Sequence, residues 1–215
     1  MDPELVSEQL RCPSGNQGSK SAFKMNANNR ATNLFAIKEL AIADSDFVLE
    51  IGPGNGAFVA DILKVCPNIQ YRAVDWSEDM VNEAIRLNFP LVRTGQVKFV
   101  LGQSDRLPFS DNQFNKALSV HTIYFWDQPQ NHFKEIARVL KPGSRLCLAF
   151  GQYDFMEKLS FTKFNFQLYH RAEVIQLLEK AGFKIEKTLM HEECGESNSG
   201  ERVEKQIEVI LAVLN

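Results

Sequence analysis

The stretch Glu50-Ile51-Gly52-Pro53-Gly54-Asn55-Gly56-Ala57 is the part of this chain best suited to holding a ligand. Glycines at alternate positions let the backbone turn tightly and let a ligand lie against bare main chain. The helix predicted to follow offers free amides, which favour an anionic or strongly polar group. Gly52-x-Gly54-x-x-Ala57 also satisfies the dinucleotide fingerprint, so the loop alone leaves the ligand open. Asp75 closes the next apolar run, where a carboxylate accepts hydrogen bonds from the vicinal hydroxyls of a ribose. The other use of an aspartate there is to cap the next helix, and Ser77 fills that place better. A nucleoside ligand follows; which nucleoside does not.

These groups need a sheet to position them. The chain has 215 residues, 44% hydrophobic and 24% charged, with a net charge of −3. That suits one domain with a buried core and excludes disorder throughout. No apolar run approaches membrane-spanning length, and the acidic start Met1-Asp2-Pro3-Glu4 has no signal-peptide pattern. The mild acidity gives no footprint for nucleic acid. Cys12, Cys66, Cys147 and Cys194 lie far apart with no CxxC pair, which points to reduced thiols and a cytoplasmic setting. Oligomeric state is not legible.

Short apolar runs alternate with amphipathic ones. Strands are predicted at 47–51, 71–75, 97–101, 116–120 and 145–150, with helices at 29–43, 58–65, 78–87, 130–140 and 171–180. Lys141-Pro142-Gly143 is expected to halt the fourth of these helices. The alternation implies a doubly wound, mostly parallel α/β sheet. Two last runs, 183–190 and 206–214, have no helix between them and are expected to pair antiparallel, joined by the polar connection 192–204. Residues 1–30 are polar and turn-rich, and read as an arm or cap outside the core of a single domain, 31–215. An aromatic insertion at about 151–170 reads as a lid over a pocket or, in preference, a small satellite core.

Val48-Leu49-Glu50-Ile51-Gly52-Pro53-Gly54-Asn55-Gly56 resembles the first motif of the class I S-adenosylmethionine-dependent methyltransferases. Val74-Asp75-Trp76-Ser77-Glu78-Asp79-Met80 is similar to their second motif. Leu107-Pro108-Phe109-Ser110-Asp111-Asn112-Gln113-Phe114 resembles the LPFxDxxFD segment of the ubiquinone-type and small-molecule subgroup. Glu135-Ile136-Ala137-Arg138-Val139-Leu140-Lys141-Pro142-Gly143 resembles their ExxRVLKPGG segment. Four motifs in order over about residues 46–150 make the resemblance specific. It implies a Rossmann-like, seven-stranded sheet with an antiparallel terminal hairpin.

The resemblance implies S-adenosyl-L-methionine as cofactor and S-adenosyl-L-homocysteine as product. Glu50 with the loop Gly52, Pro53, Gly54 and Gly56 would hold the methionine half, and Asp75 the ribose. Trp76 and Met80 would pack on the adenine faces, Met80 being equally well placed as a helix residue facing the sheet. Many relatives carry an aspartate where Gln103 stands. The Gln103 oxygen would accept from the adenine amino group, and the Ser104 amide would donate to a ring nitrogen. Asn115 replaces the usual aspartate after Phe114, at a structural position.

Catalytic groups would lie after the fourth strand, in Val120-His121-Thr122-Ile123-Tyr124-Phe125-Trp126-Asp127. His121 and Tyr124 are the candidate catalytic residues, His121 as a base or else as a ring packed beneath the cofactor. Tyr124 and Trp126 are candidate pocket walls or core residues. His170 opens the helix after the insertion, and exposure there explains it as well. His191-Glu192-Glu193-Cys194 looks metal-like but is expected in the hairpin connection, away from the site, so no metal site is expected. Phe23, Met25, Asn26, Asn29 and Arg30 lie in an arm that closes over cofactor and substrate in many relatives. The reaction expected is methyl transfer to a small-molecule or lipid-like acceptor. The alternatives are a noncatalytic cofactor-binding protein of the same fold or, on GxGxxA and Asp75 alone, an NAD-dependent oxidoreductase.

Overall fold

The computed structural model describes residues 2–197, 200 and 202–215, with Asn16 described by its backbone alone. In chain order the elements are α1 (Pro3–Arg11), α2 (Gly15–Asn28), α3 (Arg30–Leu40), β1 (Phe47–Ile51), α4 (Val59–Val65), β2 (Gln70–Asp75), α5 (Glu78–Leu87) and α6 (Phe89–Arg93). There follow β3 (Val97–Leu101), β4 (Phe114–Val120), α7 (Pro129–Val139), β5 (Leu140–Gly151), α8 (Tyr153–Met156), α9 (Arg171–Lys180), β6 (Phe183–Glu196) and β7 (Arg202–Leu214).

The strands form one sheet in the order β3-β2-β1-β4-β5-β7-β6. Strands β1 to β5 are parallel, and β7 runs antiparallel to both neighbours. This is the doubly wound α/β sheet with an antiparallel terminal hairpin that the sequence implies. Strands β1 and β2 are buried on both faces, as helix-covered parallel strands must be. Two apolar cores lie on opposite faces of the sheet, one around Phe114, Phe133 and Phe150, the other around Leu40, Ile62 and Tyr71. Strand order reverses between β1 and β4, which opens a crevice at their carboxyl ends.

Arg138 ties two of the family-like segments into one cluster. Its guanidinium donates to Glu135 and Asp111 and to the carbonyls of Leu107 (3.0 Å) and Phe109 (2.9 Å). Glu135 in turn accepts from the Leu107 amide at 2.9 Å. Asn115 accepts from the Phe47 amide, a structural contact between the starts of β4 and β1.

Four expectations need correction. Helix α7 does end before Lys141-Pro142-Gly143, but those residues already belong to β5, because Leu140 pairs with Phe114. The terminal strands are longer than their apolar runs. Most of 192–204 is a polar two-stranded ribbon, with Glu193 opposite Lys205 and Glu196 opposite Arg202. His191-Glu192-Glu193-Cys194 therefore lies within β6. The insertion is no satellite: Phe155, Met156, Leu159 and Phe161 join the main core. Residues 3–28 form two helices, and Val6 of α1 is buried in that same core.

Candidate active site

Strand β1 ends at Ile51, and the loop after it keeps Gly52, Gly54 and Gly56 at φ +71°, +56° and +67°. Only glycine adopts this left-handed region without strain. The three glycines differ in what surrounds them. A Cβ on Gly54 meets nothing within 4 Å, whereas on Gly56 it would stand 2.8 Å from the Phe99 ring and 3.0 Å from Asn88 Nδ2. Gly54→Ala is expected to cost about 1–2 kcal/mol of backbone strain. Gly56→Ala adds overpacking and is expected to cost about 3 kcal/mol or more, a difference that urea unfolding resolves.

Asp75 ends β2 with one oxygen accepting from the Gly54 amide (3.0 Å) and the other from the Ser77 amide (2.9 Å). It thus fixes the glycine loop and the start of α5, where Ser77 Oγ caps by accepting from the Met80 amide. Burial pushes its carboxyl up to about 6 despite these amides. Glu50 is buried beside it and takes a short hydrogen bond from the Tyr71 hydroxyl. Burial pushes Glu50 up to about 7; the Tyr71 bond lowers it and Asp75 raises it.

These groups open onto a cavity of ≈ 390 Å³. Glu50, Gly52, Pro53, Gly54 and Asp75 form its floor, and Trp76, Met80, Gln103 and Ser104 one end. Gly56 does not reach it; that glycine lies beneath the loop, so its part in ligand binding is indirect. Met80 is both fully buried and on the cavity wall. Gln103 stands exposed at the rim, and the hydroxyl of buried Ser104 pairs with His132 Nδ1 at 2.7 Å. The His132 ring stacks flat on Trp126, with centroids 4.8 Å apart. His132 also lines the cavity. Sequence reasoning misses it, because nothing in its helix distinguishes it from a core histidine.

Helices α1 and α2 roof the cavity. Trp76 Nε1 donates to the Arg11 carbonyl (2.7 Å), Ser77 Oγ to the Pro13 carbonyl (2.6 Å), and Asn26 to Asn55 (3.0 Å). Met25, Asn26 and Asn29 line the cavity. Phe23 is exposed, and Arg30 pairs instead with Asp61. The far end of α2 is held by Lys205 of β7, whose ammonium donates to the Asn28 carbonyl and to Glu193 (3.0 Å).

His121 follows β4 at φ +58°, a left-handed conformation that costs a histidine strain and is concentrated at functional sites. Its Nδ1 lies 3.1 Å from the Tyr124 hydroxyl, which also accepts from the Gly151 amide. Desolvation, and then the Lys205 charge, lower its pKa to about 4, so the ring is neutral at pH 7. Tyr124 lies off the large cavity, on a second one of ≈ 80 Å³. Five residues line both cavities: Leu10, Met25, Asn29, His121 and Phe125. His170 stacks on Tyr153 and lines neither. Because Glu193 holds Lys205 on the second cavity, the 191–194 segment is near the site after all.

The donor set suits S-adenosylmethionine. The buried carboxyls of Glu50 and Asp75, for which no cationic partner is present among the described residues, would accept from ribose hydroxyls and face a cationic ligand, beside backbone left bare at Gly54. Residues 49–148 match the family model described as a methyltransferase domain. The uncharacterized methyltransferase YdaC of Bacillus subtilis (strain 168) is 28% identical over 128 residues, 60% of this chain and 68% of that protein. The chloroplastic 2-methyl-6-phytyl-1,4-hydroquinone methyltransferase 1 of rice (Oryza sativa subsp. japonica) is 27% identical over 64% of this chain, but only 41% of its own length. The crystal structure of a SAM-dependent methyltransferase from Aquifex aeolicus superposes along the full length of both chains, with TM-score 0.68 and 20% identity. By its matched domain, its relatives and its fold, the chain is similar to the S-adenosylmethionine-dependent methyltransferases, whose cofactor is S-adenosylmethionine.

Proposed function

We propose that the chain transfers a methyl group to a small-molecule acceptor seated against His121. The observation that carries this is the junction of the two cavities: His121 and Phe125 belong to both, so a group bound in one meets a group bound in the other there. The rice relative, named for a hydroquinone acceptor, supports a small molecule. When bound, S-adenosylmethionine supplies a methyl group on a positively charged sulfur.

The residues of the chain then align and exclude water. Glu50, Asp75 and the glycine loop fix the nucleoside end, and α1 and α2 cover it. Tyr124 and the left-handed backbone hold the imidazole in one orientation. At pH 7 a ring with its pKa near 4 is a weak base. Its part is to accept a hydrogen bond from the acceptor, orient the attacking lone pair, and take up the strongly acidic proton of the methylated acceptor before passing it on to solvent.

The experiment is S-adenosylhomocysteine formation with pooled small phenols, alcohols and thiols. Product above the no-acceptor rate supports transfer; S-adenosylhomocysteine binding without turnover on any pool favours the noncatalytic reading. His121→Asn, chosen because asparagine tolerates positive φ, is expected to lower turnover about 100-fold. Affinity for S-adenosylhomocysteine should stay within about threefold. Unchanged turnover would remove His121 from the mechanism.

A further inference from the structure

One wall of the smaller cavity comes almost wholly from the segment between β5 and α9, through Phe155, Met156, Leu159, Phe161 and Phe166. Phe166 sits at its centre, with ring centroids 4.7 Å from Phe125, 5.3 Å from Tyr124 and 5.7 Å from Phe161. Tilted and edge-on rings of this kind accept another ring, or a branched alkyl group, through dispersion and quadrupole contacts.

The opposite wall contains charge, but in balance. Lys205 is buried, and its ammonium is matched by Glu193 and by the Asn28 carbonyl. Glu196 stands exposed at the rim, where water screens it. A carboxylate or an ammonium on an entering molecule would lose its hydration and, among the described residues, find no unmatched counter-charge inside the rim. The volume of ≈ 80 Å³ is smaller than the engineered cavity of about 150 Å³ that takes up benzene. Met156, unbranched and adaptable, is the wall residue best able to yield.

We propose that this chamber binds the body of an uncharged, apolar acceptor about one ring in size, its nucleophilic atom directed back toward His121. The proposal rests on the methyl-transfer reading and gives it a substrate class. It also accounts for the aromatic insertion, whose phenylalanines serve at once as core and as specificity wall.

The test uses the whole protein saturated with S-adenosylhomocysteine and three phenols of similar shape. These are 4-ethylphenol (uncharged), 4-hydroxyphenylacetate (anionic) and tyramine (cationic), each titrated by calorimetry. 4-Ethylphenol is expected to bind at least about tenfold more tightly than either charged counterpart. Lys205→Gln leaves Glu193 with His191 alone, 3.3 Å away, in place of its ammonium partner, and should shift the preference about tenfold toward tyramine; Glu193→Gln should shift it likewise toward 4-hydroxyphenylacetate. Three equal affinities, a preference of the unaltered protein for a charged phenol, or 4-ethylphenol binding weaker than about 1 mM overturns the proposal and leaves the cofactor reading standing. Failure of the unaltered protein to bind S-adenosylhomocysteine at all overturns the reading beneath it.

Discussion

Asp75→Ala is expected to weaken S-adenosylhomocysteine binding by at least about 100-fold, the largest single loss expected in this site. Two hydrogen bonds from ribose hydroxyls to a carboxylate are worth about 1.5–3 kcal/mol each, which alone reaches that figure. The carboxylate also accepts from the Gly54 and Ser77 amides, so its removal frees the loop and the first turn of α5 together. The fold should survive, because burial already disfavours this charge in the free protein. Calorimetric titration with S-adenosylmethionine, S-adenosylhomocysteine and NADH, paired with thermal unfolding, separates the two roles. Affinity within tenfold of the unaltered protein would show that Asp75 is not the ribose partner, and binding of NADH alone would point to a nicotinamide enzyme.

The second large effect is on pH dependence, and its sign differs between the free and bound protein. Burial holds Asp75 at about 6 and Glu50 at about 7, both above their ordinary values. A carboxyl raised in the folded state contributes stability that is fully present below its unfolded pKa, near 4, and is lost as pH rises through the folded value. The free protein should therefore lose thermal stability between about pH 4 and 7 from these two groups. The cofactor reverses the preference, since hydroxyl donors and positive charge favour the ionised carboxylates. Affinity should rise with pH by about tenfold per unit for each group that must ionise, levelling off above about pH 7 to 8, with proton release on binding. Titrations in buffers of different ionisation enthalpy count those protons. A flat affinity from pH 5 to 8, with no proton released, would show that neither carboxylate is ionised by the ligand.

The ligand loop and Asp75 were legible in sequence because their constraints are local: glycine at positive φ, a strand end, a helix cap. The parallel strands were legible for a similar reason, since burial on both faces leaves continuous apolar runs such as Phe47–Ile51. The outer half of the β6–β7 ribbon was not. Its residues are polar because one long stretch faces water, and its regularity lies in cross-strand pairs such as Glu193 with Lys205. The helices of the roof were hidden likewise. They attach in part through backbone carbonyls of Arg11 and Pro13, which carry no residue identity, and in part through isolated polar pairs such as Asn26 with Asn55. His132 and Tyr124 take their places from partners 28 and 27 residues away, Ser104 and Gly151, a separation that no local pattern encodes.

Strand β7 lies between β5 and β6, yet it is the later of the two terminal strands in the chain. On the ribosome, β6 emerges before the strand that joins it to the sheet, and β5 keeps an unpaired edge until residues 202–214 arrive. Lys205, which fastens α2 from the other side, arrives in that same stretch. A nascent chain thus has its glycine loop complete while the smaller cavity still lacks the wall that Lys205 and Ile207 supply. The smaller cavity is closed only when β7 reaches back to α2 through Lys205.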